Sequence, residues 1–196
     1  MKNNKICAID VDLTVVDTFT PWMHWFYALT DGESIRNVDG CYNLVPEMNE
    51  IIKAKNLKFD PFSFWKRKDL YDDLSPIAGS LQTVNLLKER GWDVVFVSTC
   101  TPEHTKSKMD FLGRNFPNAD GFISTDKKFF VDYTLIIDDS LSNIHQSMRN
   151  KSADHLLFTG VRTDGMVLDR FGIPILDNWS SFNRVYGHRL GAKDAA

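Results

Sequence analysis

Cysteine is scarce in this chain: of 196 residues only Cys7, Cys41 and Cys100 are cysteines. The count is odd and no pair stands in a CxxC spacing. A disulfide framework and a thiolate zinc site are therefore not expected, and a reducing compartment is. Cys7 lies in an apolar run and reads as a buried thiol. A basic surplus is also missing, because the formal net charge is -3. Proteins that grip a nucleic-acid backbone neutralise it with clustered Lys and Arg, so stable nucleic-acid binding is not expected. No apolar stretch approaches the length of a membrane span. Met1-Lys2-Asn3-Asn4-Lys5 leads into a short apolar run that meets Asp10, which is not a signal peptide. Repeats and low-complexity tracts are absent. These absences point to a soluble, cytoplasmic protein that acts on a small molecule, with no membrane partner.

What is present suits one core with a modest insertion. Hydrophobic residues make up 43% of the chain and charged residues 25%, an ordinary globular mixture. Short apolar runs at Lys5 to Asp10, Asp93 to Ser98, Thr134 to Asp138 and His155 to Thr159 read as buried strands. Gly121 to Ser124 and Gly172 to Leu176 are weaker candidates. Leu81 to Arg90 reads as a helix stopped by Gly91. Strands alternating with helices predict an α/β fold with a doubly wound parallel sheet. Between the first two strong strands lie roughly eighty residues, far more than a simple crossover needs. That stretch is rich in aromatics, including Trp22, Trp25, Phe26, Tyr42, Phe62, Trp65 and Tyr71. It predicts a small helical cap over residues 18–74, with a core built from 1–17 and 75–196. Extra core helices would account for much of the same pattern. From about Gly187 onward the chain reads as a frayed tail.

Three strands end in polar clusters: Asp10 and Asp12, then Ser98 and Thr99, then Asp138 and Asp139. A parallel sheet brings these ends to one edge, where α/β proteins bind ligands. Carboxylates gathered there repel unless a cation intervenes, and oxygen ligands suit Mg²⁺. Singly, each acid reads as a turn or a cap. Together, in the order DxDxT, ST and DD, they point to phosphoryl-transfer chemistry.

The pattern resembles the haloacid dehalogenase superfamily of phosphotransferases. The resemblance implies that Asp10 attacks phosphorus and forms an aspartyl-phosphate, and that Asp12 handles the proton of the leaving oxygen and of the hydrolytic water. It implies Thr99 for the transferring phosphoryl group, and Lys127 or Lys128 as the family's lysine. Spacing from Asp138 favours Lys128. Mg²⁺ would be held by the Asp10 carboxylate, the Asp12 backbone carbonyl, and Asp139 or Asp138, with Asp139 favoured. In more detail, Asp10 to Asp17, Phe62 to Gly79, Phe96 to Thr99 and Leu135 to Asp139 resemble 5′(3′)-deoxyribonucleotidases. There, cap aromatics line the nucleoside pocket; by position these are Trp65, Tyr71 and Tyr42, with Ser98 and Lys127 as further substrate contacts. Leu13 stands where the family often has Gly, and Thr18 where it often has Phe.

The expectation is a Mg²⁺-dependent phosphatase for nucleoside 5′- or 3′-monophosphates, deoxyribonucleotides first. A polynucleotide 3′-phosphatase or general phosphoester hydrolase is the second reading, and a non-catalytic binding protein the third. A homodimer is compatible with all three. His104, beside Glu103, reads as a surface residue and Cys100 as a bystander.

Overall fold

A computed structural model describes residues 5–33, 35, 44–161 and 172–190. Tyr42 lies outside the described residues. Among the described residues six strands form one parallel sheet: β1 (Ile6–Ile9), β2 (Asp93–Ser98), β3 (Gly121–Ser124), β4 (Leu135–Asp138), β5 (Asp154–Phe158) and β6 (Ile175–Leu176). Their spatial order is β3-β2-β1-β4-β5-β6. Every pairing is parallel, as in Cys7 opposite Val94 on one side and Leu135 on the other.

The two-residue period of a strand explains why helices cover both faces. Cys7 and Ile9 point to a larger core that includes Val84 and Leu87 of α3 (Ser80–Glu89), Phe111 of α4 (Thr105–Asn115) and Phe182 of α6 (Phe182–Tyr186). Ala8 points to the opposite face, where Ile144 of α5 (Leu141–Ser147) packs with Val97, Ile136 and Leu157. The sheet is thus doubly wound, as its sequence pattern predicts. The chain changes direction between β1 and β4, the neighbours at the centre. That is the switch point where the carboxyl ends of strands leave a crevice.

The stretch between β1 and β2 contains α1 (Phe19–Leu29), α2 (Val45–Ala54) and a 3₁₀ segment, Pro61–Lys66, with no strand among its described residues. The 3₁₀ segment is tied down at its start. The Asp60 side chain accepts from the Phe62 N–H at 2.9 Å, and the Trp22 indole N–H of α1 donates to the Pro61 carbonyl at 3.0 Å. Trp22, Phe26, Met48 and Phe64 are buried between these pieces. At the chain's end, a 3₁₀ turn over Gly187–Arg189 and the buried Leu190 continue the packing, so the fold extends past the expected start of a frayed tail.

Candidate active site

The site grows out of the turn that follows β1. The Asp10 N–H donates to the Ile137 carbonyl of β4 at 2.9 Å, so the strand pairing carries on through Asp10 and sets its carboxylate at the switch point. The next residues fold back tightly: the Val15 N–H reaches the Val11 carbonyl, and the Leu13 N–H reaches the Val16 carbonyl at 2.8 Å. This reversal puts Leu13 at φ 59°, in the left-handed region. A branched side chain is strained there, and glycine is not. The departure at Leu13 seen in the sequence therefore falls where the backbone makes its most demanding turn.

The acids of the strand ends now meet. Carboxylate oxygens of Asp10, Asp138 and Asp139 lie within 4.8 Å of one another, and all three residues are buried. Lys128 is buried among them, donating to Asp10 Oδ1 at 2.5 Å and to Asp138 Oδ2 at 2.6 Å. Lys127, its neighbour, is exposed and turned away from the cavity. Asp138 is fully enclosed, because it also accepts from the Ser140 N–H at 2.8 Å and from the Asn143 amide at 3.1 Å. Asp139 instead lines the cavity and accepts from the Thr14 hydroxyl at 3.4 Å.

Burial pushes the Asp10 carboxyl above its usual range, the Lys128 ammonium pulls it down, and Asp138 and Asp12 push it up again. The rise prevails, since a carboxylate out of water beside two others is costly to ionise. Burial alone would lower Lys128, but Asp10 and Asp138 outweigh it and hold the ammonium well above the usual lysine value. One lysine facing three acids leaves an excess of negative charge. The donors are hard oxygens, and ligands across an octahedral Mg²⁺ lie about 4 Å apart. The cluster therefore fits a hard divalent cation.

Asp12 is treated differently. Its Oδ1 accepts from the Tyr71 hydroxyl at 2.7 Å, and its Oδ2 from Lys108 Nζ at 2.8 Å and the Ser98 hydroxyl at 3.3 Å. Burial pushes this carboxyl up, but Lys108 and the Tyr71 hydrogen bond prevail and hold it below the usual carboxylate range. Thr99 is exposed on the cavity wall, and its carbonyl accepts from Lys108 at 2.8 Å.

Above the acids lies a cavity of about 390 Å³. Its floor is Asp10, Asp12, Ser98, Thr99, Lys128 and Asp139; its roof is apolar, with Phe19, Trp22, Leu44, Phe62 and Trp65. Trp22 and Phe62 lie nearly parallel, with ring centroids 6.4 Å apart and planes at 22°. Trp65 meets Trp22 edge-on at 5.8 Å.

The structure thus gathers Asp10, Asp12, Ser98, Thr99, Lys128, Asp139 and Trp65 around one space. Tyr71 is not on its wall. It is fully buried behind Asp12, so its ring has no free face for a base, and its hydroxyl serves the carboxylate instead. His104 is buried rather than on the surface: its Nδ1 contacts the Trp65 carbonyl at 2.6 Å and its ring meets Tyr71 edge-on at 5.6 Å. Burial pulls its imidazole below the ordinary histidine value. Cys100 contacts the Thr105 hydroxyl, away from the acids. The sequence marks none of Lys108, Trp22 and Phe62 as a site residue, although both aromatics belong to the cap stretch. A lysine in a charged helix looks solvated, and aromatics in a helical stretch look like core.

No protein-family model matches the chain, and no curated protein matches it. Solved structures do. A predicted phosphoglycolate phosphatase from Haemophilus somnus superposes with a TM-score of 0.66 at 11% identity, covering 94% of this chain and 99% of the other. A HAD-superfamily hydrolase from Ehrlichia chaffeensis gives 0.58 at 13% identity, covering 97% and 100%. The HAD-hydrolase candidate YfnB of Bacillus subtilis, whose crystal structure is bound to magnesium, gives 0.61 at 15% identity, covering 94% and 99%. The fold is that of the haloacid dehalogenase hydrolases, and its buried acid cluster lies at the switch point of the sheet. Among the described residues no helix is long and apolar enough to cross a membrane.

Proposed function

We propose that this chain hydrolyses phosphomonoesters through Asp10, and that its substrates are nucleoside 5′- or 3′-monophosphates, deoxyribonucleotides first. One observation carries the reading: the Asp10 carboxylate lies on the floor of the cavity between Lys128 and Asp139, two residues before a separately held Asp12. Phosphatases among the structural neighbours support it.

Lys128 holds Asp10 Oδ1, and the other carboxylate oxygen is offered to phosphorus. Attack forms the aspartyl-phosphate, and the bond from phosphorus to the ester oxygen breaks. Asp12 gives that oxygen a proton, and the alcohol leaves. Asp12, again ionised, takes a proton from water, which attacks phosphorus and frees Asp10 and phosphate. In the free protein Asp12 is held in its ionised form by Lys108 and Tyr71. The negative charge of an incoming phosphate opposes that, which favours proton uptake for the first half. Thr99 binds the phosphoryl oxygens. Asp10, Asp139 and the Asp12 carbonyl would hold Mg²⁺, while Asp138 fixes Lys128. When bound, Mg²⁺ supplies charge neutralisation at the phosphoryl oxygens.

The apolar roof supports a nucleoside over a sugar phosphate. A flat heterocycle can lie against Phe62, Trp22 or Trp65, and stacking on an aromatic contributes ~1–3 kcal/mol per base. The described residues between 18 and 74 supply this apolar roof and act as a cap over the acids, which favours a small substrate over a polynucleotide.

The test is a panel of 5′- and 3′-mononucleotides with Mg²⁺. Phosphate release from dUMP or dTMP is expected, with loss of turnover in Asp10→Asn. A 3′-phosphorylated oligonucleotide that outperforms every mononucleotide would replace the substrate reading. No turnover of any phosphomonoester would end the phosphatase reading. Phe62→Ala and Trp65→Ala should raise KM for nucleotides by roughly 5- to 100-fold, in line with stacking energies, and leave p-nitrophenyl phosphate little changed. An equal rise for both substrates would remove the stacking role.

A further inference from the structure

Lys108 is completely buried, on the face of α4 that packs against the sheet beside Ser107, Phe111 and Leu112. A buried ammonium is costly unless every donor is used. Here all three are: Nζ reaches Asp12 Oδ2 at 2.8 Å, the Ser98 hydroxyl at 3.1 Å and the Thr99 carbonyl at 2.8 Å. These partners come from two different strand ends, one after β1 and one after β2. Tyr71 closes the arrangement. Its hydroxyl holds Asp12 Oδ1 at 2.7 Å, its ring lies 5.2 Å from Lys108 Nζ, and its backbone N–H is fixed by the Ser107 hydroxyl at 2.9 Å.

Both oxygens of Asp12 are therefore held from behind, each by a residue outside the cavity wall. A carboxylate oxygen can accept two hydrogen bonds; Oδ2 already takes Lys108 and Ser98, whereas Oδ1 takes only Tyr71 and keeps room for another partner. A group that must give a proton to one oxygen and later take one from water needs a fixed direction more than it needs mobility.

We infer that Lys108 and Tyr71 are positioning residues for Asp12: they aim its carboxylate at the leaving oxygen and lock it to the Thr99 backbone across the site. The inference rests on the phosphatase reading of Asp10 and Asp12.

The experiment compares wild type, Tyr71→Phe and Lys108→Met on two substrates with Mg²⁺. One is p-nitrophenyl phosphate, whose phenolate departs with little help from an acid. The other is dTMP, whose alkoxide needs a proton. Tyr71→Phe keeps the ring and its packing, so it guards against misfolding of Lys108→Met. The expected result is a fall in kcat/KM on dTMP of about 10- to 100-fold, a partial loss of the ~10²–10⁴-fold that a general acid contributes. The fall in kcat/KM on p-nitrophenyl phosphate should be several-fold at most, because that constant ends at the aspartyl-phosphate and leaves out the water step in which Asp12 serves both substrates alike. Adding Tyr71→Phe to Asp12→Asn should cost nothing further. Equal losses in kcat/KM on both substrates, or a further loss in the Asp12→Asn background, would overturn the inference while leaving the phosphatase reading intact. Absence of wild-type turnover on either substrate would overturn both.

Discussion

Replacing Lys128 by Met should turn the best-braced part of the site into its weakest. In the folded protein the Lys128 ammonium spans two carboxylates, at 2.5 Å and 2.6 Å, and all three groups are almost wholly enclosed. Removing one partner of a buried pair typically costs ~3–5 kcal/mol, because the remaining charge cannot reach water. The two acids do not share that loss evenly. Asp138 keeps the Ser140 N–H and the Asn143 amide, whereas Asp10 loses its lysine. Asp10 can escape part of the cost by taking up a proton, a direction in which burial already pushes it. The expected loss is therefore near the lower end, about 3 kcal/mol, or a fall in Tm of roughly 6–12 °C for a chain of this size. Thermal or urea unfolding without divalent ions reads this directly. Lys127→Met is the control; that side chain is exposed, and its effect should stay within about 0.5 kcal/mol. Adding Mg²⁺ should then restore stability to Lys128→Met, by ~2.7 kcal/mol at a hundred times the dissociation constant. Comparable losses in the two variants, or less than about 1 kcal/mol in Lys128→Met, would refute the view that Lys128 neutralises the acid cluster.

Two more outcomes follow from the same geometry. Gly79 has φ +86° and an added Cβ would lie 2.9 Å from the Cβ of Trp179, so Gly79→Ala should lower stability by more than about 2 kcal/mol in urea unfolding; a neutral result would contradict the tight approach. His104 bears on acid stability. Burial holds its folded pKa below the ordinary 6.5. It is neutral in both folded and unfolded chains above that value, so its stabilisation is complete there and is lost as pH falls from 6.5 through the lowered value. The difference in urea midpoint between wild type and His104→Gln should shrink or reverse on going from neutral pH to about pH 5; a difference independent of pH would reject the assignment.

The strands were legible because a buried parallel strand needs a short, dense apolar run. Asp93–Ser98 and Gly121–Ser124 match their predicted bounds, and Ile6–Ile9, Leu135–Asp138 and Asp154–Phe158 fall within a residue or so of theirs. Ile175–Leu176 is shorter than its apolar run suggested. The acids of the site were legible for a related reason: they end those runs, and sheet geometry converts strand ends into neighbours. The supporting residues were not. Lys108 stands in Thr-Lys-Ser-Lys-Met, where two lysines look alike, and only the helix's phase against the sheet makes Lys108 buried and Lys106 exposed. The same holds for Tyr71. Its aromatic character suggested a ligand face, but its use depends on a hydroxyl reaching a residue 59 positions away. Counting from Asp138 favoured Lys128 but left Lys127 open, and the short 3₁₀ turn beginning at Lys128 explains why only the second points inward.

One late contact has a consequence for how the molecule is made. The Trp179 indole N–H donates to the Thr14 carbonyl at 2.8 Å, its ring lies near-parallel to Phe158 at 5.3 Å, and its Cβ sits against the turn at Gly79. The loop that carries Asp10 and Asp12 is therefore braced by a side chain 165 residues downstream. A ribosome would have released every acid, the threonine and both inward lysines before that brace emerges from its exit tunnel. Until then the nascent chain would hold the side chains of the candidate site without this brace on the loop that carries Asp10 and Asp12.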